Sequence, residues 1–393
     1  MIDATPLHLI AAGVFWASLT LLVYVHFGYP LLLLLLGRLA PRPLQAGTGQ
    51  ELPRVDFLIG AYNEEAVIRQ KIENSLALDY PAGYLRITVA SDASTDGTDA
   101  VVREFATRGV VLRRAPQRRG KAANFREIVA TLTGDIVLFS DAGSLYHPDT
   151  LQRLVRHFAD PEVGLVGGRI HYVNPGTTSV SRGEGLYWRY EVFLRTAESL
   201  IGSAMVVSGA VYAMRRHLYR AVPDNLPDDF MSPLNVLDQR HRVLYDAGTR
   251  IQERMATSAR AEWATKVRII RRNFAALRSM RHLLNPVRDP LVALQLLSHR
   301  LLRWFVMPLA GLLLLSSAVL ADENPFFAWV LVAQGAFYAL ALTGYLMDLA
   351  GRQFRLFFLP YYFVLVNLAA SWGVARALAG AGGSAGVWEP VER

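Results

Sequence analysis

The chain has 393 residues, 52% hydrophobic and only 19% charged, with no cysteine. That much apolar material excludes a disordered chain, and the lack of cysteine excludes disulfides, thiolate nucleophiles and cysteine metal sites. The formal charge of +8 arises almost wholly within residues 260–288, where eight basic residues accompany one acid, so a basic surface coating nucleic acid is excluded as well.

Residues 9–37 carry no formal charge and exceed the roughly 20 apolar residues that a membrane span requires. A leader peptide has a basic start, a short apolar core and a small-residue cleavage site. Here the start is MIDATPLH and basic residues follow the apolar run, so segment 1–40 reads as a retained transmembrane helix.

Residues 52–258 alternate between strand and helix patterns. The apolar run 54–61 ends in Ala61-Tyr62-Asn63-Glu64-Glu65, and a helical pattern covers 64–78. Further strands are predicted at 85–91, 110–114, 134–143, 163–173 and 206–214, with helices near 98–107, 121–131, 148–158 and 183–200. This alternation predicts an α/β domain with a mainly parallel sheet covered on both faces. Ligands of such sheets bind beyond the carboxyl ends of the strands, where the polar clusters Tyr62-Asn63-Glu64, Ser91-Asp92 and Ser140-Asp141 fall. There is no Gly-x-Gly-x-x-Gly and no P-loop, which argues against dinucleotide oxidoreductases and P-loop kinases.

Residues 260–300 combine Arg260, Lys266, Arg268, Arg271, Arg272, Arg278, Arg281 and Arg288 with an apolar stripe. Trp263, Val267, Ile270, Phe274, Leu277, Met280 and Leu284 recur every three or four residues, one face of a helix. Such a helix suits the interface of an anionic leaflet; packing on its own domain is the plainer alternative. Three more spans are predicted within 302–378, at about 302–320, 326–347 and 354–378, before a tail at 379–393. Arg38, Arg42, Arg300, Arg303, Arg352 and Arg355 flank the spans on one side, whereas the ADENP connector has no base. Basic flanks mark the cytoplasmic side, so 52–300 is expected in the cytoplasm, with Arg376 mildly discordant. Arginine outnumbers lysine 38 to 3 (41 basic residues less Lys71, Lys121 and Lys266), a skew typical of GC-rich bacterial genomes.

Four motifs in register carry a family resemblance: Ala61-Tyr62-Asn63-Glu64-Glu65, Ser91-Asp92-Ala93-Ser94-Thr95-Asp96-Gly97-Thr98, Gly120-Lys121-Ala122-Ala123-Asn124 and Ser140-Asp141-Ala142. Their order and spacing resemble family-2 glycosyltransferases of the GT-A fold over residues 52–285. One N-terminal span and a C-terminal cluster, about four in all, resemble the membrane branch that includes cellulose and hyaluronan synthases. The resemblance implies an inverting transferase of the bacterial inner membrane, acting on a nucleotide-sugar donor, a UDP-sugar by the family's habit, and a lipid-linked or glycan acceptor.

By the same resemblance Ala61, Tyr62, Glu64, Asp92, Lys121 and Asp141 bind the donor. Asp92 would accept the ring N–H of uracil, although an Asp there also suits capping of the following turn. Asn63 and Glu65 read equally as caps of the 64–78 helix. Lys121 would offset diphosphate charge as a compact cation. Asp141 opens what is usually an Asp-x-Asp turn holding Mg²⁺ or Mn²⁺, but Gly143 replaces the second acid, so the ion loses a ligand and binds more weakly. Asp229 takes the place of the general base, and Asp228 of an acid favoured by a helix N-terminus. The family's Gln-x-x-Arg-Trp is absent. Arg268, Arg271 and Arg272 stand near its place, suited to the diphosphate or acceptor and equally to the membrane surface. That departure, with few C-terminal spans, weighs against a processive synthase; a non-catalytic scaffold is the alternative of another class.

Overall fold

The computed structural model describes residues 6–42, 52–172, 179–253, 258–352 and 355–380. Parts of the expected segments therefore lie outside the described residues: 1–5 of the first helix, 173 of the 163–173 strand, 254–257 of the α/β domain, 354 of the last span and 381–393 of the tail.

The chain opens with α1 (Pro6–Val23) and α2 (Tyr29–Leu39), joined by a π turn at Tyr24–Gly28. The α/β domain runs through β1 (Val55–Ala61), α3 (Glu65–Leu76), β2 (Leu85–Ser91), α4 (Thr98–Glu104), β3 (Val111–Arg114), α5 (Lys121–Val129) and β4 (Ile136–Asp141). It continues through β5 (Leu145–Tyr146), α6 (Thr150–Val155), β6 (Val163–Tyr172), α7 (Ser179–Ile201), β7 (Tyr212–Arg215), α8 (Asp228–Asp238) and β8 (Arg242–Glu253). The basic helix α9 (Ala259–Ser279) then leads to α10 (Pro290–Gln295), α11 (Leu302–Trp304), α12 (Val306–Leu320), α13 (Pro325–Leu349) and α14 (Arg355–Leu378).

The eight strands form one sheet in the order β3-β2-β1-β4-β7-β6-β8-β5. Strands β3, β2, β1 and β4 are parallel, as expected. The other half is mixed: β7 runs antiparallel to both β4 and β6, β8 is parallel to β6, and β5 is antiparallel to β8. The expected strand 206–214 shrinks to Tyr212–Arg215, because residues before it run irregularly along the site. Strand β8 was not anticipated. Its Asp246-Ala247-Gly248 reads as a turn, yet the chain crosses it with a register shift opposite Gly168 and resumes pairing at Ile251.

Alternate residues of β1 and β4 point to opposite faces. Leu58, Val137 and Phe139 enter one core, and Phe57, Ile59, Ile136 and Leu138 the other. The first core continues into Ala276 and Leu277 of α9, Trp304 of α11, and Ala370 and Val374 of α14. One face of the sheet thus shares its core with the apolar helices. The α9 stripe is spent there: Val267 and Leu277 are buried, and Ile270, Phe274, Met280 and Leu284 pack on the same core. A Cβ on Gly373 would stand 3.0 Å from both the Val267 carbonyl oxygen and the Ile270 Cβ, so only glycine lets α9 and α14 cross this closely.

Among the described residues three helices are long and apolar enough to cross a membrane: Pro6–Leu39, Pro325–Leu349 and Leu356–Leu378. A fourth arises if Pro290–Trp304 and Val306–Leu320, bent by 63°, count as one. The span expected at 302–320 is bent near its start. Pro308 lacks an N–H, and its ring clashes with the carbonyl four residues back, that of Trp304. The bend falls there, and the Ser371 hydroxyl donates to the freed Trp304 oxygen at 3.1 Å, as buried backbone among apolar helices demands. Arg300 and Arg303, counted from sequence as a basic flank, lie just before this bend and are instead ion partners of Glu191.

Candidate active site

Strand register sets the site. Gly60 lies opposite Asp141 and Ala61 opposite Ser91, so the loops after β1, β2 and β4 emerge side by side at the carboxyl edge. The first two are laced together. Asn63, at φ 53°, accepts the Thr95 N–H at 2.8 Å, and Glu65 accepts that of Gly97 at 2.9 Å. Asn63 and Glu65 therefore tie loop to loop rather than cap α3 with their side chains.

A narrow slot between these loops is lined by Ala61, Tyr62, Asp92, Lys121, Asn124 and Asp141 among others. The Arg118 guanidinium lies over the Tyr62 ring, 3.9 Å from its centroid. Glu64 does not line the slot; it is buried at the start of α3. Asp92 is buried, and its carboxylate accepts from Arg119 N at 2.9 Å, Gly120 N at 2.8 Å and Asn124 Nδ2 at 2.9 Å. It thus caps the N-terminus of α5, the helix that carries Lys121. A carboxylate has about four lone-pair sites, so one remains toward the slot.

Beyond the slot lies a cavity of about 350 Å³ that contains Lys121, Asp141, Asp228 and Asp229 and reaches α9 and Arg300. Lys121 Nζ donates to Asp141 Oδ1 at 2.8 Å and stands 3.3 Å from Asp228 Oδ2. Burial disfavours its charge, but these two carboxylates prevail and hold the ammonium above its ordinary pKa. Tyr212 Oη donates to Asp228 at 3.1 Å. Asp229, at the first turn of α8, is pushed up to about 6 by burial and then by the neighbouring Asp228 charge. A carboxylate so tuned is largely ionised at neutral pH yet more basic than an ordinary one, which suits proton abstraction.

Arg268 and Arg272 line the cavity, while Arg271 does not. Arg272 donates to the backbone oxygens of Asn225 and Leu226, bracing the turn that delivers Asp228 and Asp229. Three further residues escaped sequence reasoning. A Cβ on Gly209 would meet Lys121 Nζ at 3.3 Å and Asp141 Oδ2 at 3.5 Å, so the backbone closes tightly over the charges there. Lys71 is fully buried behind the Asp141 turn, donating to Ser144 O at 2.6 Å and lying 3.8 Å from the Tyr146 ring centroid; burial pushes its ammonium down to about 7. Lys266 lines the cavity beside Glu262. The signal was present: the chain keeps lysine at three positions only, and all three serve this region.

Among the described residues no three His, Asp or Glu side chains form a group able to hold a metal ion. Asp141 is the single acid at its turn and already receives Lys121, so this turn alone does not make a protein-only metal site.

The fold is of the GT-A type, a sheet with its polar site at the carboxyl edge of the parallel strands. Residues 56–222 match the family model described as Glycosyl transferase family 2. The chain is 27% identical over 231 residues to the beta-monoglucosyldiacylglycerol synthase of Synechocystis sp., covering 56% of this chain and 48% of the relative. It is 28% identical over 210 residues to an N-acetylglucosaminyltransferase of Rhizobium leguminosarum, covering 49% of each. The chain spans about half the length of these curated relatives. Among solved structures, the mannosyltransferase PcManGT from Pyrobaculum calidifontis, in complex with GDP-Man and Mn²⁺, superposes with a TM-score of 0.70 at 24% identity, over 95% of this chain and 99% of that one. That likeness shows a shared fold across the sheet domain and the apolar helices.

Proposed function

We propose that the chain is a membrane-bound inverting glycosyltransferase. It would move a sugar from a nucleotide-diphosphate donor, most simply a UDP-sugar, to a hydroxyl of a lipid-linked or glycan acceptor in bacterial envelope or exopolysaccharide assembly. The observation that carries this reading is one cavity holding Lys121, Asp141, Asp228 and Asp229 and reaching the helices that bear the apolar spans. The curated relatives, one of which is named for a diacylglycerol lipid, support a lipid acceptor.

The base enters the slot between Tyr62 and Asn124, where its ring N–H takes the last lone pair of Asp92. Lys121 has three N–H donors; two face Asp141 and Asp228, and the third meets the diphosphate. A bound Mg²⁺ or Mn²⁺ would offset further phosphate charge, with Asp141 its one protein carboxylate and phosphate oxygens and water the remainder. Asp229 takes the proton of the acceptor hydroxyl as that oxygen attacks the anomeric carbon. The bond from that carbon to the diphosphate oxygen breaks, and the configuration inverts. Asp228 holds Lys121 and keeps Asp229 basic through charge repulsion. The domain is placed on the cytoplasmic face, supported by Arg38 and Arg42 after the first span and Arg352 before the last. Because the stripe of α9 is spent on α14, the helix follows that span to the leaflet surface, with Ile269, Arg278 and Arg281 exposed.

The test is nucleotide release from UDP-, GDP- and dTDP-sugars by full-length protein in nanodiscs, with and without envelope lipids. Release from one donor, accelerated by lipid, is expected. No release from any donor would contradict the reading.

A further inference from the structure

The most deeply buried of the three lysines has no part in the chemistry above. Lys71 is 0% exposed. Among the described residues it forms no ion pair; its Nζ donates to Ser144 O at 2.6 Å and stands over the rings of Tyr146 and Phe57, 3.8 and 5.1 Å from their centroids. Burial drives the ammonium down, and the charges of Asp141 and Glu253 only partly restore it. A methionine would fill the same space without that cost, so the charge needs a reason.

The reason lies in what Lys71 holds. It shares one face of α3 with Asn74, one turn further on. Asn74 Nδ2 donates to Tyr146 O at 2.7 Å, and its Oδ1 accepts from Tyr146 N at 2.8 Å. The helix thus grips β5 along one edge, while β5 pairs with β8 along the other. The turn from Asp141 to β5 is loosely closed. Gly143 is permissive in conformation, and the bond from Ser144 N to Asp141 O is long at 3.4 Å. Beyond the turn, Tyr146 Oη donates to Ala210 O at 2.8 Å. Ala210 follows Gly209, whose backbone oxygen accepts from Lys121 Nζ at 3.5 Å. Lys71 therefore reaches the Asp141 turn directly and the Gly209 backbone through the Tyr146 ring.

We infer that Lys71 is a positioning residue, which holds the Asp141 turn and, through Tyr146, the Gly209 backbone at the spacing that Lys121 bridges. Lys71 lines neither the slot nor the cavity, so it acts through these other residues. This role rests on the donor diphosphate lying at Lys121 and Asp141, as proposed above. Lysine suits it because the ammonium is a compact charge that binds a carbonyl and two ring faces at once. Methionine would keep the rings packed but release the Ser144 carbonyl, and the turn would drift with Asp141 on it. A displacement of about 1 Å costs on the order of a hundredfold in rate.

Full-length protein made with isotope-labelled lysine gives three side-chain NMR signals, for Lys71, Lys121 and Lys266. In K71M the Lys121 signal is expected to shift, because Asp141 moves beside it, while the Lys266 signal stays in place. On the best donor in nanodiscs, kcat should fall about tenfold to a hundredfold, with KM changed less than about twofold. The unfolding midpoint should hold or rise, because a buried charge gives way to an apolar side chain. A role in packing alone would lower the midpoint and leave the Lys121 signal and kcat untouched. That result, or full turnover in K71M, overturns the inference. If K71M does not fold, Y146F, which loses only the hydroxyl bonded to Ala210, should shift the Lys121 signal and lower kcat in the same way; an unmoved signal there overturns it. UDP is titrated in parallel. No UDP binding and no nucleotide release by the unaltered protein would sink the glycosyltransferase reading, and the Lys121 signal would still decide the role of Lys71.

Discussion

Lys121 Nζ and Asp141 Oδ1 are 2.8 Å apart, and this one bond fastens the first turn of α5 to the carboxyl end of β4. Asp228 and Asp229 complete the cluster, so this ammonium faces three acids. K121Q should leave those acids uncompensated. The expected result is a lower unfolding midpoint, turnover reduced at least about a hundredfold, and a pH–rate limb displaced above the value near 6. A limb that stays in place would mean that Lys121 does not face Asp229 electrostatically.

Asp92 has two duties, and substitution should report both. D92N replaces one acceptor oxygen with a donor that confronts the N–H groups at the α5 N-terminus. UDP affinity should fall about tenfold to a hundredfold, with a measurable drop in unfolding midpoint. Unchanged affinity beside a lowered midpoint would confine Asp92 to its capping role.

The parallel half of the sheet and the site at its carboxyl edge were legible because short apolar runs end in polar clusters at the same relative place. The mixed half was not. Strand β8 crosses an Asp-Ala-Gly that mimics a turn, and β7 is short because Gly209 and its neighbours serve the cavity instead of the ladder. Lys71 could not be singled out by periodicity, since a buried lysine on an amphipathic helix looks like a surface one. The bend at Trp304 could have been read from Pro308; the donor to the freed carbonyl, Ser371, lies 67 residues away and only the fold reveals it.

Asp141 is a lone acid where a pair is usual. G143D should add a second carboxylate at the turn and tighten Mn²⁺ binding in the presence of UDP, read by calorimetry, by about tenfold. Turnover of the unaltered protein should fall in excess chelator and recover with millimolar Mn²⁺. Undiminished turnover in chelator would assign the diphosphate charge to Lys121 alone.

S371A tests the bent helix pair. Removing the hydroxyl leaves the Trp304 carbonyl without its 3.1 Å donor, a loss of about 1–3 kcal/mol. The unfolding midpoint in detergent should fall, and S371T should restore much of it. An unchanged midpoint in S371A would show that the carbonyl finds another donor.

Asp229 is the centre of the account. Its pKa near 6 is above the ordinary carboxylate value, so the folded state holds its proton longer than the unfolded chain does. Stability from this group is therefore greatest below pH 4 and declines as pH rises through 6. D229N should remove that penalty and stabilise the protein at pH 7.5 by on the order of 1–2 kcal/mol, reduced from the full shift because the carboxylate opens onto the cavity. The most direct measurement is turnover on the best donor against pH, for unaltered protein, D229N and D228N in the same nanodiscs. The account predicts that unaltered turnover falls below a pH near 6, that D229N loses about 10²–10⁴-fold with donor affinity unchanged, and that D228N loses far less. A D229N enzyme with full turnover, or a D228N enzyme that alone is dead, would contradict it.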